Sequence, residues 1–108
     1  MTRLEVINMD WILAYTTGRA YSTTNMVKFS GSEEEAKAFL EQEIEKDIEM
    51  IGGKESVIYR DAIREVRNKE REVVELIGYF ETFDEYEFHY RMQRFDKMKT
   101  ERGKLIWA

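Results

Sequence analysis

The segment from Ser32 to Gly53 is the feature that most constrains how this chain can fold. Ser32, followed three residues later by Glu35, forms a capping-box pattern, in which each side chain satisfies an amide that the first helical turn leaves unpaired. Apolar residues then recur every three or four positions, at Ala36, Phe39, Leu40, Ile44, Ile48 and Ile51. This spacing predicts an amphipathic helix over 33–51, which ends because glycines 52 and 53 readily adopt the left-handed conformation of helix C-termini.

The opposite face of the predicted helix is acidic. It carries five glutamates, which we call the acidic ridge: Glu33, Glu34, Glu41, Glu45 and Glu49. Residues 32–55 hold nine carboxylates and three lysines, and so carry a net charge of −6, against −5 for the whole chain. A row of carboxylates on a rigid helix imitates the charges along a nucleic-acid backbone and attracts a basic surface. The alternative is a solvated helix face that serves solubility.

Residue patterns on both sides of this helix predict an antiparallel sheet. Residues 9–16 and 24–30 read as the two strands of a hairpin with a long loop. Residues 73–81 are rich in β-branched and aromatic side chains, and residues 86–95 alternate aromatic with charged ones. The predicted fold class is therefore α+β: a mainly antiparallel sheet with the long amphipathic helix packed on one face.

The segment 56–67 is predicted to form a second, shorter helix. Its apolar residues Ile58, Ala62 and Val66 lie four positions apart, with charged residues between them. A hairpin strand is the alternative for this segment. The C-terminal residues 105–107 are expected to form either a last edge strand or a tail over the core.

Length and composition limit the class of protein. The 108 residues are 43% hydrophobic, which predicts one domain over 1–108 with a single core. No window is apolar enough for a membrane span, and residues 1–10 lack the pattern of a secretion signal, so we expect a cytoplasmic protein without a membrane partner. The absence of cysteine excludes disulfides and thiolate chemistry. The acidic balance argues against direct binding to nucleic acid, because that affinity comes mainly from basic groups.

Motifs that carry chemistry are sparse. The one histidine, His89, has Glu87 beside it on the same predicted strand face, which falls short of the three protein ligands of a catalytic zinc. No glycine-rich phosphate pattern is present. The aromatic row Tyr86, Phe88 and Tyr90 is predicted to lie in the core rather than to stack bases, because one sheet face must cover the helix. We therefore expect a non-enzymatic protein without metal or cofactor.

In its size, acidity, lack of cysteine and lack of catalytic signatures, the chain is similar to small accessory proteins of bacteriophages and mobile elements, among them the anti-CRISPR inhibitors. The similarity covers composition and the acidic ridge and transfers no individual residue. It implies an inhibitor that occupies the basic surface of a nucleic-acid-binding host protein. The predicted partner-binding residues are the acidic ridge and three residues around the hairpin loop, Arg19, Tyr21 and Asn25.

Two other classes of function remain open from the sequence. A homo-oligomeric structural or adaptor domain, such as a homodimer, would associate through the aromatic strand or through residues 105–107. A small enzyme would be centred on His89, with Glu87 and other carboxylates as its neighbours.

Overall fold

The computed structural model, which describes residues 9–18, 22–95, 98–101 and 104–107, is an α+β fold with one long helix packed on an antiparallel sheet. The elements in chain order are β1 (Met9–Gly18), β2 (Ser22–Gly31), α1 (Glu33–Met50), a 3₁₀ turn (Lys54–Ser56), β3 (Val57–Arg60), β4 (Arg64–Arg67), β5 (Val73–Thr82), β6 (Glu87–Arg94), β7 (Met98–Glu101) and β8 (Lys104–Trp107). Within the described residues, the main sheet has the strand order β2-β1-β6-β5-β3, with β4 also paired to β5. Strands β7 and β8 form a separate two-stranded sheet.

The predicted capping box and helix are confirmed. The Ser32 hydroxyl accepts a hydrogen bond from the Glu35 amide at 3.1 Å, and the Glu35 carboxylate accepts one from the Ser32 amide at 2.9 Å. At the other end, Gly52 and Gly53 have φ angles of 116° and 90°, where a side chain would be strained. Helix α1 therefore stops at Met50, one residue before the predicted end.

The core lies between α1 and one face of the sheet. The predicted apolar stripe of the helix faces this core, with Ala36, Leu40, Ile44 and Ile48 buried and Phe39 and Ile51 partly buried. The sheet contributes Trp11, Leu13, Leu76, Phe80, Phe88, Tyr90 and Met92. Phe88 and Tyr90 of the predicted aromatic row lie in this core, as predicted, whereas Tyr86, which precedes β6, is 42% exposed. The other sheet face, which we call the open face, carries Glu87, His89 and Arg91 of β6.

The two predicted strands that flank the loop are confirmed and are longer than expected. Antiparallel pairing of β1 with β2 continues beyond the predicted strands toward the loop, as far as Gly18 and Ser22. The predicted strands 73–81 and 86–95 correspond to β5 and β6, which pair with each other in the centre of the sheet.

The prediction of a helix over 56–67 is wrong, and strand structure, the alternative for this segment, is found instead. Strands β3 and β4 pair in succession with the same edge of β5. The expected apolar stripe is not buried: Ile58 is 55% exposed and Ala62 is exposed, whereas Val57 and Ile63 pack against the core. Pairing with β5 satisfies the backbone hydrogen-bonding groups along the edge of that strand. The stability gained from these hydrogen bonds outweighs the helical preference indicated by the four-residue spacing.

Candidate functional site

The middle of the acidic ridge is paired within the protein. The guanidinium of Arg60, the last residue of β3, donates two hydrogen bonds. One nitrogen lies 2.9 Å from a carboxylate oxygen of Glu41 and the other lies 2.7 Å from a carboxylate oxygen of Glu45. This hydrogen bond from Arg60 lowers the pKa of the Glu45 carboxyl below its ordinary value of 4.5. The two glutamates therefore clamp β3 to α1, and the ridge is not a continuous row of unpaired carboxylates.

The remaining three ridge glutamates differ in their surroundings. Glu33 accepts a hydrogen bond from the Val73 amide at 3.0 Å, which ties the start of the helix to the start of β5. Within the described residues, Glu34 and Glu49 have neither an ion pair nor a side-chain hydrogen bond. They lie fifteen residues apart on α1, which is about 22 Å at the helical rise. The unpaired charge of the ridge is thus at its two ends.

Glu49 occupies an electrostatically unfavourable position. It lies in the last turn of α1, which is fully described and holds no basic residue. The carbonyl ends of a helix favour cations, so a carboxylate here reduces the stability of the isolated protein. Glu34, in contrast, lies in the first turn, where a carboxylate is favourable. The charge of Glu49 is not explained by the fold.

A second group of carboxylates lies beside Glu49. The Phe83 amide donates to the Ser56 carbonyl at 3.1 Å and the Ser56 hydroxyl to the Ile51 carbonyl at 3.0 Å, so the end of α1 is joined to the turn between β5 and β6. We call residues 47–56 and 81–87 the acidic end. They hold seven carboxylates and one lysine.

Some carboxylates of the acidic end have partners inside the fold. Asp47 accepts the Tyr90 hydroxyl at 2.5 Å, Glu81 accepts the Tyr79 hydroxyl, and Glu87 lies 3.0 Å from the His89 ring. Within the described chain, Glu49, Glu55 and Asp84 have no ion pair and no side-chain hydrogen bond. These three carboxylates are available to a cation from another molecule.

Of the three residues predicted as a second contact surface, the structure describes one. Arg19 and Tyr21 lie outside the described residues. Asn25 is exposed but belongs to β2, opposite Tyr15, rather than to the loop. Gly18, the last described residue before the loop, pairs with Glu87, so β1 ends beside the acidic end.

His89 lies on the open face in a groove of about 680 Å³. Its ring centroid is 4.8 Å from that of Tyr79, and Arg64 and Arg91 line the same groove. Burial and the hydrogen bond to Glu81 raise the pKa of the Tyr79 hydroxyl. Among the described residues, no three histidine, aspartate or glutamate side chains are placed to hold one metal ion.

Two charged residues that make contacts between elements are not among the predicted site residues. Arg60 was assigned to a helix, and its two partners lie 19 and 15 residues away. Glu75 is only 4% exposed although it points to the open face, where it accepts hydrogen bonds from Arg91 at 2.6 Å and Gln93 at 3.2 Å. The pairing register of β5 with β6 would have indicated the contacts of Glu75, but this register cannot be read from either segment alone.

Comparisons of the chain with protein-family models, with curated proteins and with solved structures give no match. Within the part of the chain that is described, no helix has both the length and the hydropathy required to cross a membrane.

Proposed function

We propose that this chain is a non-enzymatic interaction protein whose acidic end binds the basic surface of a protein partner. The observation that carries the proposal is the unpaired carboxylate of Glu49 in the last turn of α1. A cation supplied by a partner would relieve its unfavourable interaction with the helix carbonyls. Unpaired Glu55 and Asp84 lie on the segments that adjoin this helix end, so several cations can be bound by one small surface.

The partner class that this charge favours is a nucleic-acid-binding protein, which the chain would inhibit. Such proteins expose basic channels that neutralise phosphates, and fixed carboxylates compete for the same groups. The internal pairs with Arg60 compensate the charge of Glu41 and Glu45, which are therefore weaker contacts for a partner's cations than the unpaired carboxylates. The proposed contacts are therefore the unpaired carboxylates of the acidic end, Glu49, Glu55 and Asp84, and the middle of the acidic ridge serves stability.

The test compares two double variants with equal changes of charge. The first, Glu49→Lys with Asp84→Lys, reverses the charge at two positions of the acidic end. The control, Glu34→Lys with Glu70→Lys, reverses the charge at two exposed positions, one near the start of α1 and one in the β4–β5 turn. Proteins are captured on each variant from a nuclease-treated lysate of the source organism and identified by mass spectrometry. A basic nucleic-acid-binding protein should be captured by the parent and the control and released by added nucleic acid.

The same experiment has clear opposing outcomes. If the acidic-end variant captures the same protein as the parent does, the acidic end is not the contact surface. If nucleic acid itself binds the purified chain, competition for a basic channel is not its mode of action.

A homodimer is a second candidate, favoured by the position of β2. Among the described strands, β2 pairs only with β1, and its ten residues form an edge without a register shift. Unpaired strand edges are templates for pairing with another chain. A monomer mass in light scattering at the highest soluble concentration would exclude this candidate.

A small enzyme centred on His89 is the third candidate, favoured by the groove on the open face. The neighbouring carboxylate of Glu87 and the ring of Tyr79 orient the imidazole. Binding of small polar metabolites, followed by the chemical shifts of the His89 ring, tests it. An unresponsive ring across such a panel would remove its support.

A further inference from the structure

A small apolar pocket opens within the acidic end. It has a volume of about 360 Å³, and Ile51, Tyr86 and Phe88 provide its apolar lining. Two of its hydroxyl groups are engaged in the fold, since Ser56 donates to the Ile51 carbonyl and Thr82 accepts from the Tyr86 amide at 3.2 Å. The pocket therefore offers mainly apolar surface to an occupant, with the Asp84 carboxylate in its lining.

Two highly exposed apolar side chains adjoin the pocket-lining residues in the chain. Met50 is 83% exposed and Phe83 is 64% exposed, and each is a chain neighbour of a residue that lines the pocket. Single exposed apolar residues are common, but several around one pocket are typical of interaction sites. The fold itself gains little from these two side chains.

The charges around the pocket restrict what can occupy it. Glu49 precedes Met50 and Asp84 follows Phe83, so each exposed apolar side chain has an unpaired carboxylate next to it in the chain. Glu55 likewise precedes Ser56, which lines the pocket. An acidic segment would be repelled. A second copy of this chain docked symmetrically would bring acidic end against acidic end, which is also unfavourable.

We infer that the occupant is a basic amphipathic peptide segment of a partner protein, which inserts an apolar side chain into the Ile51–Tyr86–Phe88 pocket and pairs its lysines or arginines with Glu49, Glu55 and Asp84. This inference rests on the proposed function and names the kind of segment that the acidic end recognises. Apolar burial supplies affinity and the surrounding ion pairs supply orientation and partner choice. Helical segments that lie in apolar grooves present such anchors at intervals of three or four residues.

Two synthetic peptides of about twelve residues test the inference. One combines lysines with leucines at helical spacing, and the other has every leucine replaced by serine, so that the charge is the same. Affinities are measured by fluorescence anisotropy at roughly 0.15 M ionic strength. We expect the leucine peptide to bind about tenfold more tightly or better, as burial of one leucine side chain implies.

Two single variants locate the contact. Tyr86→Ser should remove most of the preference for the leucine peptide, because Tyr86 lines the pocket. Met26→Ser is the matched control, because Met26 is 68% exposed on the open face, away from the pocket, and its replacement should leave the preference unchanged. Both residues are exposed, so both variants should fold, which circular dichroism would verify.

Each result has a distinct meaning. Equal binding of the two peptides would overturn the inference and leave the proposed function standing. Binding of neither peptide would overturn both. An unchanged leucine preference in Tyr86→Ser would also contradict the inference, because the anchor would then lie elsewhere.

Discussion

Gly78 of β5 lies directly against Ile44 of α1, so closely that a Cβ atom at position 78 would stand 2.8 Å from the Ile44 Cδ1 atom. The absence of a side chain at Gly78 lets the helix approach the middle of the sheet at this point. The glycine is therefore required by space rather than by its φ angle.

Gly78→Ala should lower the free energy of unfolding by about 1–3 kcal/mol, the usual cost of overpacking a core. The added methyl group forces Ile44 out of its present rotamer or moves α1 away from the sheet. Urea unfolding followed by circular dichroism measures the change. A double variant with Ile44→Val, which removes the Cδ1 atom, should recover part of the loss. Strict additivity of the two changes would contradict the contact.

Glu49→Lys should stabilise the isolated protein, by about 0.3–1 kcal/mol, because it replaces an anion with a cation at the helix C-terminus. Glu34→Lys, the same substitution in the first turn, should destabilise it by a similar amount. Thermal unfolding at low ionic strength compares the two variants. A loss of stability in Glu49→Lys would show that Glu49 has a stabilising role that the fold does not reveal.

The clamp formed by Arg60 should make stability depend on acid pH. Because the folded-state pKa of Glu45 is lowered, this pair contributes stability above about pH 4.5 that is lost as the pH falls through the folded-state value. Arg60→Gln should therefore cost about 1 kcal/mol near neutral pH and clearly less near pH 3. Urea unfolding at both values measures this. The exposed Lys69→Gln is the control, and its effect should not change between them.

The hydrogen bond from Tyr90 to Asp47 joins the sheet to the end of α1. Tyr90→Phe keeps the ring that stacks on Phe80 but removes this bond, and should cost about 1–2 kcal/mol. Tyr86→Phe, at a more exposed tyrosine, should be neutral.

The same tyrosine predicts a response to alkaline pH. Burial, and next the bond to Asp47, raise the pKa of the Tyr90 hydroxyl above its ordinary value of 10.0. The corresponding stability is present below that value and is lost as the pH rises toward the folded-state pKa. Tyr90→Phe should therefore lose less stability than the parent above about pH 10. An identical alkaline profile in parent and variant would contradict this prediction.

Local patterns were sufficient for most of the fold. The capping box at Ser32, the glycines after Ile51 and the alternation along β6 each act within a few residues, and the structure has the helix and strands that they predict. The prediction of a helix over 56–67 was wrong because the apolar spacing of this segment suits a helix, whereas its conformation depends on the open edge of β5. That edge is formed by residues further along the chain, so no window over 56–67 contains the deciding information.

The sequence by itself determined that this chain has an amphipathic helix with one acidic face, because periodicity and capping are properties of neighbouring residues. Only the tertiary structure decided which of those carboxylates are neutralised. Arg60 reaches Glu41 and Glu45 because the pairing of β3 with β5 brings the end of β3 next to α1. Glu49 lies instead at the helix end that is joined to the acidic turn between β5 and β6. The physical reason is that an ion pair depends on distance in space, and distances between separate elements arise only when the sheet and the helix pack together.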